Sequence, residues 1–127
     1  MTKKNRRVLK TAYSDIQPYT TKDGAIIREL MNPEVHGNLN QSLAEATITK
    51  GTATALHRHN ISEEIYHFTG GKGQMTLGDK TFEVSIGDTI CIPAGTLHRL
   101  QNTGKDPLKL LCCSAPPYSH DDTELMV

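Results

Sequence analysis

With 127 residues, 14 basic against 14 acidic side chains and a formal charge of zero, the chain is sized for one domain and carries no electrostatic footprint for nucleic acid or an anionic membrane. Hydrophobic residues at 36% and charged residues at 22% exclude a disordered polyelectrolyte and favour a globular fold. Cys91, Cys112 and Cys113 cannot all pair within the chain, which points to a reduced, cytoplasmic protein, and zero net charge favours self-association, here expected as a homodimer.

Residues 1–22 lack a clean period and read as an N-terminal arm; Lys3-Lys4 and Arg6-Arg7 are followed by no apolar run, so they read as a solvated tail rather than a signal or a membrane span. Residues 23–117 are expected to form the body, and 118–127 a C-terminal segment. After the turn at Lys22-Asp23-Gly24, Ala25 to Met31 reads as a first strand with Ile27 and Glu29 on one face and Ile26, Arg28 and Leu30 on the other. Met31 to Asn40, with Pro33 and Gly37, is expected to be an irregular connection. Ser42 to Thr49 follows; helix competes over Leu43 to Ala46, but threonines flanking Ile48 and the closing Lys50-Gly51 favour strand. Thr52 to His59 is read as the next strand, Asn60-Ile61-Ser62 as a bend, and Glu64 to Phe68 as a strand paired with the one before it.

The most specific local pattern is Met75 to Val84. A two-residue Gly78-Asp79 loop suits a II′ turn, and pairing outward from it sets Leu77 opposite Lys80, Met75 opposite Phe82 and Gly73 opposite Val84. Thr89 to Ile92, Thr96 to Asn102 and Leu108 to Ser114 complete the strands, punctuated by Gly87-Asp88, Pro93-Ala94-Gly95 and Pro116-Pro117. Many short strands and no persuasive helix indicate an all-β antiparallel sandwich or barrel.

His57 and His59, one residue apart on a strand, present both imidazoles to one face. Glu64 joins them if the bend at residues 60–62 resets the parity, although Glu63 is a rival carboxylate. His98 shares a face with Leu100 and Asn102. Three imidazoles and a carboxylate suit one divalent transition metal: iron, manganese, nickel, zinc or copper. On an ion that prefers six ligands they leave two positions open to water or substrate. Tyr66, two positions after Glu64, is expected to line the same interior as a catalytic proton donor or acceptor, with Arg28, Gln41 and Tyr118 as substrate-pocket candidates. The glycines and Pro93 read as turn residues, Asn102 as a group that satisfies backbone, and His36, His67 and His120 as ordinary structural histidines. The cysteines lie in apolar runs and read as small core residues, one of the adjacent pair facing inward.

The spacing of these residues resembles the cupins. Gly51, five residues, His57, one, His59, four, Glu64, six, Gly71 matches the first cupin motif, and Gly87, five, Pro93, one, Gly95, two, His98, three, Asn102 matches the second. The resemblance covers residues 51–102 and implies a double-stranded β-helix, a jelly-roll-like barrel with the metal inside. It also places His57, His59, Glu64 and His98 at the family's four ligand positions and favours Glu64 over Glu63 by the distance to Gly71.

Cupins include oxygenases, decarboxylases, isomerases and non-enzymatic binding proteins, so the fold leaves function open. The resemblance implies a metalloenzyme acting on a small organic molecule, as an oxygenase or by redox-neutral lyase or isomerase chemistry. The alternative is a metal-containing module that binds a sugar or organic acid without turnover. A purely structural metal is disfavoured because such sites are closed by their own protein ligands.

Overall fold

The Gly78-Asp79 turn has φ of +59° at its glycine, and among the described residues no non-glycine has positive φ, the combination a II′ loop requires. Strands β6 (Lys72–Leu77) and β7 (Lys80–Ser85) pair around it with Leu77 opposite Lys80, Met75 opposite Phe82 and Gly73 opposite Val84, the expected register. Met75 and Val84 face the core at 0% and 2% exposure. This computed structural model describes residues 8–126; the basic residues Lys3-Lys4 and Arg6-Arg7, read as a solvated tail, lie outside them.

The other strands are β1 (Tyr19–Thr20), β2 (Ile26–Met31), β3 (Ser42–Ile48), β4 (His57–His59), β5 (Glu63–Gly70), β8 (Thr89–Ile92), β9 (His98–Asn102), β10 (Leu108–Ala115) and β11 (Thr123–Leu125). They build two antiparallel sheets, a six-stranded one in the order β1-β2-β3-β10-β5-β8 and a five-stranded one in the order β11-β4-β9-β6-β7. The architecture is an all-β jelly-roll barrel, as expected. Between the sheets lie Phe68, Met75, Val84, Ile92, Leu100, Leu108 and Leu110. Each fully buried side chain of this size contributes about 1.5–3 kcal/mol.

Strand β5 links that apolar core to the polar end of the barrel. Its buried residues alternate as Glu64, Tyr66 and Phe68, so one strand supplies a carboxylate, a phenol and a core aromatic in succession. Asn102 closes another backbone account: its Nδ2 donates to the carbonyls of Ile48 and Asp106, and its Oδ1 accepts from the Gly104 amide. Among the described residues no helix is long and apolar enough to cross a membrane.

Several expectations are corrected. Thr52 to His59 is not one strand, because the Thr54 amide bonds Leu100 and the Ala55 amide is drawn to the Asp23 carbonyl, leaving only β4 as regular strand. Strands β4 and β5 are not partners. The 60–62 bend carries the chain from one sheet to the other, with the Ile61 and Ser62 amides held by the Asp122 carboxylate and the Ser62 hydroxyl by the Pro116 carbonyl. The connection after β2 contains a one-turn helix, α1 (Pro33–His36), opened by the Asn32 side chain accepting from the Glu34 amide and closed by Gly37 at φ +88°. The segments outside the expected body also join sheets: Tyr19 and Thr20 pair with Ile27 and Ile26, and β11 pairs with β4.

Candidate metal centre

Three imidazoles come from the five-stranded sheet. His57 and His59 are buried on β4, and His98 on β9 is the cross-strand partner of His57. One ring nitrogen from each of the three lies within 4.8 Å of the other two. The facing sheet supplies Glu64, 3% exposed, with Oε1 at 2.9 Å from His59 Nε2 and 3.3 Å from His98 Nε2. The cluster thus bridges the two sheets at the point where β5 enters the core.

Each ring is oriented from behind. His57 Nδ1 lies 2.7 Å from the Ala55 carbonyl and His98 Nδ1 2.9 Å from that of Thr96. A carbonyl can only accept, so each Nδ1 carries the proton and each Nε2 of the neutral ring presents a lone pair. His59 Nδ1 is 3.1 Å from the Thr123 hydroxyl, which itself donates to the Ser119 carbonyl at 3.0 Å and so accepts from the ring. Three Nε2 lone pairs converge, each fixed by a partner on the other nitrogen, as in metal-ligating histidines.

Glu64 is held in the same way. Its Oε2 accepts from the Ser114 hydroxyl at 3.2 Å and the Cys112 thiol at 2.9 Å, which leaves Oε1 free. Glu64 Oε1 and His98 Nε2 are both buried without a hydrogen-bond partner. Buried polar atoms without partners are costly, and two acceptors 3.3 Å apart need a positive charge between them. These residues therefore fit a divalent cation. Burial alone would raise the Glu64 pKa, but His59 and His98 outweigh it and hold the carboxyl well below the usual range. Burial lowers the His57 pKa, assisted by His98; for His59 burial acts the same way, but the Glu64 carboxylate overrides it and raises the value.

A cavity of about 50 Å³ adjoins the cluster. Ala44, Ala46, Ile48, Leu100 and Leu110 form its apolar wall, and its charged lining is acidic, from Asp23, Glu29 and Glu64. Tyr66 lines it and packs edge-on to His98 at 6.0 Å between ring centres; burial pushes its pKa well above the ordinary phenol value. Tyr118 lines it too, edge-on to His59 at 5.6 Å and hydrogen-bonded to His120 at 3.0 Å, its pKa raised by burial to about 12.

Two pocket candidates lie elsewhere. Arg28 points away from the cavity, because the alternation that turns Ile27 and Glu29 inward turns it outward; its guanidinium stacks 4.2 Å over the Tyr13 ring and donates to the Tyr13 and Ile16 carbonyls. Gln41 precedes the buried Ser42 and so faces out, exposed, with its Oε1 3.8 Å from Cys113 Sγ. The cysteines also divide: Cys112 turns into the cavity, Cys113 faces out beside Gln41, and Cys91 is exposed rather than a core residue. His36 accepts from the Asn32 amide and His67 bonds Thr89, both structural roles. Thr123, Ser114 and Asp23 touch the cluster without any motif in the sequence to mark them as site residues. Asp23 looked only like a turn residue, and Thr123 lies 64 positions from the ring it orients, so no local pattern marks either.

The profile of the Cupin domain family matches residues 44–114, more than half of the chain. An uncharacterized protein of Methanocaldococcus jannaschii is 54% identical over 120 residues, covering 94% of this chain and 96% of that one. Mannose-1-phosphate guanylyltransferase 2 of Escherichia coli O157:H7 is 33% identical over 75 residues; the match takes in 59% of this chain but only 16% of the longer enzyme. In three dimensions the chain resembles a Lactobacillus farciminis oxalate decarboxylase solved as a formate complex, with a TM-score of 0.77, 24% identity, and coverage of 89% of this chain and 34% of that one. That likeness concerns the fold. The profile match over more than half of the chain, with which the converging imidazoles on β4 and β9 agree, establishes that this chain belongs to the cupin family.

Proposed function

We propose that this cupin is a divalent-metal-dependent enzyme acting on a small organic molecule, with the ion held by His57, His59 and His98 through Nε2 and by Glu64 through Oε1. The observation that carries the reading is the pair of buried, unpartnered atoms Glu64 Oε1 and His98 Nε2, set beside a cavity that opens onto the cluster. A bound ion would supply Lewis-acid polarisation and a template for substrate oxygens. The residues around it divide the remaining work. The apolar wall excludes water from one side, while Tyr66 and Tyr118, both kept protonated near neutral pH, donate hydrogen bonds to a ligand oxygen rather than accept protons.

A second reading, binding without turnover, is favoured by that same protonation, which leaves few groups poised as a base. One experiment addresses the metal and another the chemistry. The His57→Ala/His59→Ala protein should contain no metal by elemental analysis, and one retained equivalent would refute the assignment. Iron-loaded wild type is then offered diols, thiols and hydroxy acids with oxygen uptake and products followed. Oxygen uptake supports an oxygenase, anaerobic product formation a lyase or isomerase, and tight binding without product the second reading. The homodimer expected from the neutral charge is likewise a proposal, tested by analytical ultracentrifugation.

A further inference from the structure

Asp23 sits in the loop between β1 and β2, outside both cupin motifs, and reaches the cluster at His57. Its Oδ2 is 3.3 Å from His57 Nε2. His57 Nδ1 faces the Ala55 carbonyl, so the neutral ring turns a lone pair, not a proton, toward that oxygen. Two acceptors face each other at 3.3 Å here, as they do between Glu64 and His98 on the other side of the cluster. Ligands about 2.1 Å from a common ion occupy adjacent octahedral vertices about 3.0 Å apart. The separations of 2.9 Å for His59 to Glu64 and 3.3 Å for His98 to Glu64 and His57 to Asp23 approximate such edges; the group whose donor atoms all lie within 4.8 Å of one another is the three imidazoles, with Asp23 flanking it at His57 and Glu64 at His59 and His98.

The loop is built to hold Asp23 there. Oδ1 accepts from the Thr21 hydroxyl and, at 3.4 Å, from the Ala25 amide, which leaves Oδ2 as the free oxygen. The Asp23 carbonyl takes the Ala55 amide at 2.8 Å, latching the loop two residues before His57 on the ligand-bearing segment. Gly24 turns at φ +97°, so the chain leaves the loop without moving the carboxylate. Asp23 is thus braced at both its side chain and its backbone, in the way Glu64 is braced by Cys112 and Ser114.

Building on the metal-dependent reading above, we propose that Asp23 Oδ2 is a fifth protein ligand of the ion held by His57, His59, His98 and Glu64. Five protein ligands leave one exchangeable position of six rather than two. Two carboxylates neutralise a divalent charge, so the centre favours an oxygen-preferring six-coordinate ion such as manganese over tetrahedral zinc. The molecule it takes meets the metal through a single oxygen, and neutral ligands are favoured over dianionic chelators, since Glu29 adds further negative charge to the same cavity.

Asp23→Asn tests this with little disturbance, because the amide oxygen can still accept from Thr21 and Ala25 while Nδ2 cannot bind a cation. Manganese is titrated into metal-free wild type, Asp23→Asn and His57→Ala/His59→Ala, with affinity and the manganese EPR spectrum as readouts, and metal-free melting temperatures as the fold control. The expected result is an at least tenfold weaker manganese affinity and an altered spectrum for Asp23→Asn, with a melting temperature close to wild type. Affinity within twofold of wild type and an unchanged spectrum overturns the Asp23 assignment alone. Manganese retained by the double histidine variant, or not bound by wild type, overturns the parent reading and this inference with it.

Discussion

Cys112 Sγ lies 2.9 Å from Glu64 Oε2, the oxygen that also accepts from Ser114, and the thiol is a donor because burial and the Glu64 charge raise its pKa well above the ordinary value. Glu64 therefore has one oxygen committed to protein donors and one directed at the imidazoles. Cys112→Ala removes one of the two braces. A lost hydrogen bond to a charged group is worth about 1.5–3 kcal/mol, of which part is recovered by Ser114, so metal affinity should fall about three- to tenfold. Cys112→Ser keeps a donor and should stay within about twofold. Competition with a chelator of known affinity measures both, and equal affinities for wild type and Cys112→Ala would remove the thiol from any part in holding Glu64.

Two motif glycines share one φ and differ in surroundings. Gly51 and Gly71 both have φ of +76°. A Cβ at Gly51 meets nothing within 4 Å, whereas one at Gly71 would lie 2.5 Å from the Pro107 carbonyl oxygen and 3.0 Å from Leu108 Cα. Gly51→Ala should cost about 1–2 kcal/mol, the left-handed penalty. Gly71→Ala adds the cost of displacing the backbone ahead of β10, about 1–3 kcal/mol more. Urea denaturation should rank Gly71→Ala as clearly the less stable. Equal costs would mean that the 107–108 backbone yields freely and that only φ matters at these positions.

Much of the barrel was legible in the chain because its signals are local. The 75–84 register follows from one two-residue turn, and the inward face of β5 from alternation alone. Three imidazoles could be grouped because their strands each have one buried face. What failed to show was sheet membership: alternation is blind to which strand lies alongside, so β4 and β5 looked like partners although the 60–62 bend separates them. Arg28 illustrates a related limit. Alternation separates the two faces of its strand, but nothing local says which face turns inward, and the inward one carries Glu29. Asp23 and Thr123 reach the imidazoles from loops and edges distant in sequence, and their roles exist only once the two sheets close.

The imidazoles must be neutral to hold an ion, so protons and metal compete. In the metal-free protein Glu64 raises the His59 pKa above its ordinary 6.5, so His59 contributes stability that is fully present below 6.5 and is lost as pH rises through the raised value. Glu64 is depressed below its ordinary 4.5, and its contribution is present above 4.5 and lost as pH falls through the depressed value. Their ion pair thus serves the metal-free protein best between about 4.5 and 6.5. His57 acts in the opposite sense, since burial lowers its pKa and folding resists its protonation as pH falls below 6.5. A bound ion stabilises the folded protein by RT ln(1 + L/Kd), where L is the free ion concentration, and the proton on His59 competes with it increasingly toward acid, raising the apparent Kd. The gain in melting temperature on adding manganese should therefore be large near pH 8, shrink through the titration of His59 and vanish by about pH 5. Calorimetry with and without the ion at constant ionic strength measures it; a gain that stays level across this range would mean that the imidazoles are not what holds the metal.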